Sequence, residues 1–278
     1  MKYPKMLHVS IQENVYNSSL DPRIWGPPFW YMLHMAATHA QIEGYQSWQR
    51  QGWEAIIKGL PYVLPCMECQ LHARAFIESH PILIQNRTEL FVFLVLMHNG
   101  VNLRNGKPTL SVEQAIKEYG FNDSHAMVNA HFSNGPPLSG VLKRIDMTRQ
   151  TLTVDGVDPK IWFPLFWFTL FNIAINLPVI MNSMQMSAVG NFIKGLPVLF
   201  PHQPSQKKLS NWINSHPPIY HASGRLFIFP YLVDMYNAMV AMKIHPSAKP
   251  LTYTEAENKY GKHTFNASLL VTFGQNHD

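Results

Sequence analysis

The feature that most constrains this 278-residue chain is that it is written twice. Asp21-Pro22-Arg23-Ile24-Trp25 recurs as Asp158-Pro159-Lys160-Ile161-Trp162, and the match runs on through Pro27/Pro164, Phe29/Phe166, Trp30/Trp167 and Leu33/Leu170. Ile57-Lys58-Gly59-Leu60-Pro61 returns as Ile193-Lys194-Gly195-Leu196-Pro197, and Ser79-His80-Pro81 as Ser215-His216-Pro217. Arg87 pairs with Arg225, Met97-His98-Asn99 with Met235-Tyr236-Asn237, Lys107-Pro108 with Lys249-Pro250, and Tyr119-Gly120 with Tyr260-Gly261. Landmarks in one order, 136 to 142 positions apart, identify one module used twice. The reading divides the chain into an N-terminal arm (1–20), a first module (21–120), a linker or arm rich in Asn, Ser, Gly and Pro (121–157), and a second module (158–278).

Each module reads as helical. Trp30, Leu33 and His34 share a face at i, i+3, i+4. Leu90 to Met97 is long enough for a buried helix, and Ser111 is placed to cap a helix that opens on Val112-Glu113. No run sustains strand alternation, so the expected class is all-α, two small bundles packed together. Apolar residues make up 46% of the chain, enough for a real core, whereas charged residues are only 14% against about 25% in ordinary soluble chains. Part of the surface is therefore expected to be covered, by the other module or by another copy of the chain. The net charge of +5 comes without a dense basic block, which argues against nucleic acid as a partner. The most apolar stretch, Ile161 to Met181, is interrupted by Pro164, Asn172, Asn176 and Pro178 and reads as a buried helix, not a membrane span. The first ten residues lack the apolar core of a signal peptide, so a cytoplasmic protein is expected.

The only two cysteines, Cys66 and Cys69, form one Cys-x-x-Cys pair ahead of a helix-compatible run from Gln70 to Glu78. That excludes a disulfide-stapled scaffold and gives thiol chemistry a single address. Pro65 is placed as a helix-start signal. In a first helical turn, the helix dipole lowers a thiol's pKa, as redox chemistry requires. Zinc binding by Cys66, Cys69 and His72, with a distant ligand such as His98, is an alternative, weakened by the absence of a second ligand pair; two inert buried thiols is another. His98 and Asn102 share a face at i, i+4, as do Trp30 and His34. Singly, each histidine is best read as a core residue. Together with Lys107 and Tyr119 near one redox pair, they suggest a site for a flat heterocycle carrying phosphate.

Taken in order, Trp25-Gly26-Pro27-x-x-Trp30-x-x-Leu33-His34, Pro65-Cys66-x-x-Cys69, His98-Asn99-x-Val101-Asn102-x-x-x-Gly106-Lys107-Pro108 and Tyr119 resemble the FAD-dependent sulfhydryl oxidases of the Erv/ALR type, most of all those of large DNA viruses. The resemblance implies a helical bundle that holds FAD beside the disulfide, commonly as a homodimer. Cys66 would be the outer sulfur attacked by thiol-containing substrate proteins and Cys69 the flavin-facing one, with O2 as electron acceptor and hydrogen peroxide as product. Arg23, Gly26, Trp30, His34, His98, Asn99, Asn102, Lys107 and Tyr119 would line the cofactor site, and no metal is implied. His39 and Ala40 depart from the family pattern, in which an aromatic commonly follows the first histidine, and no shuttle cysteine pair exists.

The second module has His202-Gln203-Pro204-Ser205 in place of the redox pair, Phe171 for His34 and Tyr236 for His98, while the packing residues persist. It therefore reads as a degenerate partner that makes the chain a pseudo-dimer with one active site, leaving room for further homodimerisation. The site of action implied is the cytoplasm, a viral assembly site or the virion. A structural protein reusing the bundle is the competing function.

Overall fold

The computed structural model describes residues 9–10, 14–15, 21–42, 47–121, 159–260, 266–267 and 270–271. The remainder of the N-terminal arm, almost all of the linker and the Asp158 repeat landmark lie outside the described residues.

Among the described residues the first half has five helices: α1 (Pro22–Thr38), α2 (Trp48–Val63), α3 (Met67–Ser79), α4 (Arg87–Arg104) and α5 (Val112–Tyr119). The second half follows the same order: α6 (Pro159–Asn176), α7 (Ser183–Gly195), α8 (Gln203–Ser215), α9 (Arg225–Ala241) and α10 (Tyr253–Tyr260). The helices begin where side chains satisfy free backbone N–H groups. The Asp21 carboxylate accepts from Arg23 N at 2.8 Å, Asn86 Oδ1 from Glu89 N at 2.9 Å, and Ser111 with Gln114 closes a reciprocal capping box, as does Asn182 with Gln185. α5 ends on Gly120, whose φ of 66° is the left-handed geometry that glycine takes without a Cβ penalty.

Helix therefore dominates, as the sequence predicts. Two short antiparallel ladders lie outside that expectation: β1 (Val9–Ser10) pairs with β4 (Leu270–Val271), and β2 (Asn14–Val15) with β3 (Asn266–Ala267). Two-residue strands carry too little sequence to show a period of two. Two further differences concern boundaries. Pro65 precedes the N-cap residue Cys66 and is not inside α3. Phe121, assigned to the linker, is buried against Phe91 at 4.5 Å between ring centroids, with the Arg87 guanidinium 5.1 Å from its ring.

One apolar core runs through both halves. α1 packs on α6 and α2 on α7, so equivalent helices meet one another, the pattern of a two-fold interface. The α2–α7 approach is close because glycines line it. A Cβ added at Gly195 would stand 2.7 Å from the Gly52 carbonyl oxygen, and one at Gly59 would stand 2.8 Å from Phe192 Cβ. A buried bond from Gln49 Nε2 to Gln206 Oε1 (3.1 Å) joins the halves.

Local contacts repeat along with the sequence. Asn99 donates to Leu110 O and accepts from Leu110 N (2.7 and 3.0 Å), and Asn237 does the same with Leu251 (2.8 and 2.7 Å). Gln70 Nε2 donates to Leu64 O, and Gln206 Nε2 to Phe200 O. The Ser-His-Pro landmark marks a helix end at which the histidine ring stacks on the aromatic four residues earlier: His80 on Phe76 and His216 on Trp212.

Candidate active site

α3 begins at the cysteines. Cys66 is its N-cap residue and Cys69 stands three residues on, with the two sulfurs joined in a disulfide. The Cys69 N–H, one of the four N-terminal donors a helix leaves unpaired, donates to Cys66 Sγ at 3.1 Å. Both cysteines are half-buried. Cys69 packs on the apolar core, whereas Cys66 is followed by the exposed Met67 and Glu68.

Beside the disulfide lies a cleft of about 680 Å³, within the range typical of small-molecule sites. α1 supplies Trp25, Gly26, Pro27, Phe29 and Trp30; α3 supplies Glu68, Cys69 and His72, with Cys66 at its cap; α4 supplies Met97, His98, Val101 and Asn102. Lys107 and Pro108 come from the turn after α4, and Gln114, Glu118 and Tyr119 from α5. That turn needs glycine at Gly106, where φ is 63°, and it is held by the Lys107 N–H bond to Asn102 O (2.8 Å) and by the two Asn99–Leu110 bonds.

Flat rings build one wall. The His98 ring lies on Trp30 with centroids 4.3 Å apart and planes 7° from parallel, and His34 lies on Tyr119 at 4.2 Å and 21°. His34 Nε2 and His98 Nδ1 are 3.2 Å apart and share a hydrogen bond, so one of them carries the proton. Burial holds His34 well below the usual histidine range, with His98 adding to the effect; burial, and then Lys107, pushes His98 down to about 4. Both rings are therefore neutral near pH 7. Burial also raises the Tyr119 phenol, with Glu118 and Tyr31 contributing.

Most of the residues expected at the site are brought together here: Gly26, Trp30, His98, Asn102, Lys107, Tyr119, Cys66 and Cys69 line the cleft, and His34 stands behind His98. Two are not. Asn99 spends its amide on Leu110, and Arg23 is turned to the Asp21 carboxylate at 2.6 Å on the exposed first turn of α1. The zinc set is not assembled either, since Cys66 and Cys69 are bonded to each other and His98 is committed to Trp30 and His34. Among the described residues no group of three His, Cys, Asp or Glu side chains is placed to hold a metal. His39 caps the end of α1 through its N–H to Ala36 O and Ala37 O, away from the cleft. Sequence reasoning did not assign Gln114 and Glu118, although their i, i+4 spacing ahead of Tyr119 puts them on one face of α5.

The chemistry of this donor set suits FAD. Two stacked ring pairs offer flat apolar faces, Lys107 and Arg104 supply positive charge at the edge, and a Cβ added at Gly26 would meet nothing within 4 Å. His34 Nδ1 is buried without a hydrogen-bond partner, a polar atom left for something else to satisfy.

The second half places aromatic rings at the equivalent positions. Phe163, at the position of Gly26, is buried with its ring 5.8 Å from Tyr236 and 5.9 Å from Trp167. Phe171 stacks on Tyr260 at 4.4 Å as His34 does on Tyr119. A hydrogen bond of 3.0 Å between His202 Nδ1 and Ser205 Oγ spans the same helix cap that the disulfide spans in α3.

A profile of the Erv1 / Alr family matches residues 27–120. The chain is 36% identical over 107 residues to a protein of Invertebrate iridescent virus 3 named for an FAD-linked sulfhydryl oxidase, an alignment covering 36% of this chain and 69% of that one. A protein of Invertebrate iridescent virus 6 with the same description is 33% identical over 111 residues, 37% of this chain and 99% of its own. The FAD-linked sulfhydryl oxidase of African swine fever virus is 32% identical over 89 residues, 31% of this chain and 72% of its own. No solved structure matches the chain. With its cysteine pair at a helix cap beside a ring-walled cleft, and with these relatives, the chain belongs to the Erv1/Alr family.

Proposed function

We propose that the chain is an FAD-linked thiol oxidase that forms disulfides in substrate proteins through Cys66 and Cys69. The observation that carries this reading is that the disulfide and the ring-walled cleft share a wall, so a redox pair stands beside a site suited to a flat cofactor. FAD, when bound, supplies a two-electron acceptor that returns its electrons to O2, giving hydrogen peroxide. Trp30, His98, Asn102, Lys107 and Tyr119 would hold it, with His34 offering Nδ1. The neutrality of both histidines makes them hydrogen-bonding groups at neutral pH, leaving Lys107 and Arg104 as the positive charges for a phosphate.

In the thiol step, a substrate thiolate attacks Cys66 Sγ, the outer sulfur. The Cys66–Cys69 bond breaks and Cys69 keeps its electron pair as a thiolate in the first turn of α3, where the helix dipole favours negative charge. A second substrate thiolate attacks the substrate sulfur of the mixed disulfide and releases Cys66. Two substrate thiols have then lost two electrons and two protons, and over the full cycle 2 RSH + O2 becomes RSSR + H2O2.

The second half is read as a degenerate copy, supported by a phenylalanine ring at Phe163 where the first half has Gly26, and by Phe171 and Tyr236 in place of the two histidines. Its role would be to cover α1 and α2 as a second subunit would, making an intrachain pseudo-dimer with one flavin per chain. Among the described residues no helix is long and apolar enough to cross a membrane. The relatives are viral proteins, which supports a viral assembly site or the virion as the setting. Purified protein should be yellow, and Cys69→Ser should abolish thiol-driven oxygen uptake while leaving the colour. Colourless protein with stoichiometric zinc would overturn the reading.

A further inference from the structure

Two large apolar side chains stand exposed beside the disulfide. Met67 is 78% exposed and Leu71 57%, and their i, i+4 spacing puts both on one face of α3, directly after Cys66. The second half provides an internal comparison. α8 keeps the helix, its length and the glutamine bond at its start, yet it carries the exposed Gln203 and Lys207 where α3 carries Met67 and Leu71. Packing of this helix therefore does not need apolar residues at either position. They occur in the half that has the disulfide.

A protein thiol bonded to Cys66 must lay its neighbouring residues over the first turns of α3. Met67 and Leu71 lie about 6 Å apart along the helix axis, close to two residues of extended chain, whose alternate side chains face the same way. We propose that Met67 and Leu71 form a docking ridge that selects substrate cysteines flanked by apolar residues in an extended segment. This rests on the thiol-oxidase reading and adds a substrate class to it: a thiol that bonds to Cys66 must pass over the surface around it.

The test uses the full flavin-loaded chain, wild type and M67Q/L71K, which installs the residues of α8. The substrates are two dicysteine peptides, one with Leu and Val beside the cysteines and one with Ser, together with dithiothreitol. Wild type should oxidise the apolar peptide with a kcat/KM about tenfold above the Ser peptide, mostly through KM, as expected for partial burial of two apolar side chains. The variant should bring the two peptides level while its dithiothreitol oxidation and visible spectrum stay unchanged. Retention of the tenfold preference by the variant, or an equal fall for both peptides and dithiothreitol, would overturn the ridge. Failure of wild type to oxidise dithiothreitol would instead overturn the oxidase reading on which it stands.

Discussion

Gly26→Phe copies into the first half the residue that fills the second. Gly26 sits inside α1 facing the cleft, an added Cβ there meets nothing within 4 Å, and its backbone is not in the left-handed region. The helix itself should tolerate the change or gain from it, by up to about 0.5 kcal/mol, since glycine is the poorest helix former after proline. The ring would take up part of the 680 Å³ cleft, as Phe163 does beside Tyr236 and Trp167. Forcing a bound cofactor to share that space should cost about 1–3 kcal/mol, the usual range for overpacking, and so weaken FAD by about 5- to 150-fold. The assay is paired: FAD titration of apoprotein by flavin fluorescence, and thermal unfolding of the same apoprotein. Weakened FAD with an unchanged or higher apo Tm is expected. Wild-type FAD affinity would refute the placement of the cofactor against α1, and a lowered apo Tm would refute the claim that the space is free.

Asn99→Ala should lose about 1–3 kcal/mol by leaving both Leu110 backbone groups unpaired, and should also weaken FAD, because the turn carrying Lys107 loosens; Asn237→Ala should cost similar stability in urea unfolding with FAD binding unaffected. Gly59→Ala forces a Cβ to within 2.8 Å of Phe192 Cβ at the α2–α7 crossing, so despite better helix propensity it should lower stability by about 1–2 kcal/mol net, read as a Tm decrease. His98 is lowered to about 4 in the folded apoprotein against an unfolded value near 6.5, so the unfolded chain binds its proton first as pH falls. The corresponding stability, up to about 3 kcal/mol, is fully present above about pH 6.5 and is lost between there and about pH 4; His98→Phe should flatten that stretch of the stability–pH curve.

The helical class was legible in residue order alone, because it depends on short-range features: the cap at Ser111 and aromatic and histidine residues four apart. Asn99 stands outside the cleft lining for a geometric reason. Next to His98 in sequence, it points about 100° away from it around the helix, so His98 and Asn102 face the cleft while Asn99 faces the Leu110 strap. Arg23 is paired with Asp21, because a residue in an exposed first turn is free to turn to its own N-cap. The replacement of Gly26 by Phe163 was within reach, since the repeat aligns them, but only the structure shows that the Phe163 ring enters the aromatic cluster. The glycine-lined approach of α2 to α7 depends on contacts more than 130 residues apart, which helical periodicity does not encode.

If one half holds the flavin and the other has closed around its own aromatics, the stoichiometry of bound cofactor distinguishes the two halves. It is read from flavin released on denaturation, by absorbance against peptide concentration after saturation with FAD. One FAD per chain is expected. Two would show that the second cleft is open despite Phe163, Phe171 and Tyr236, and none would remove the cofactor from the first half as well.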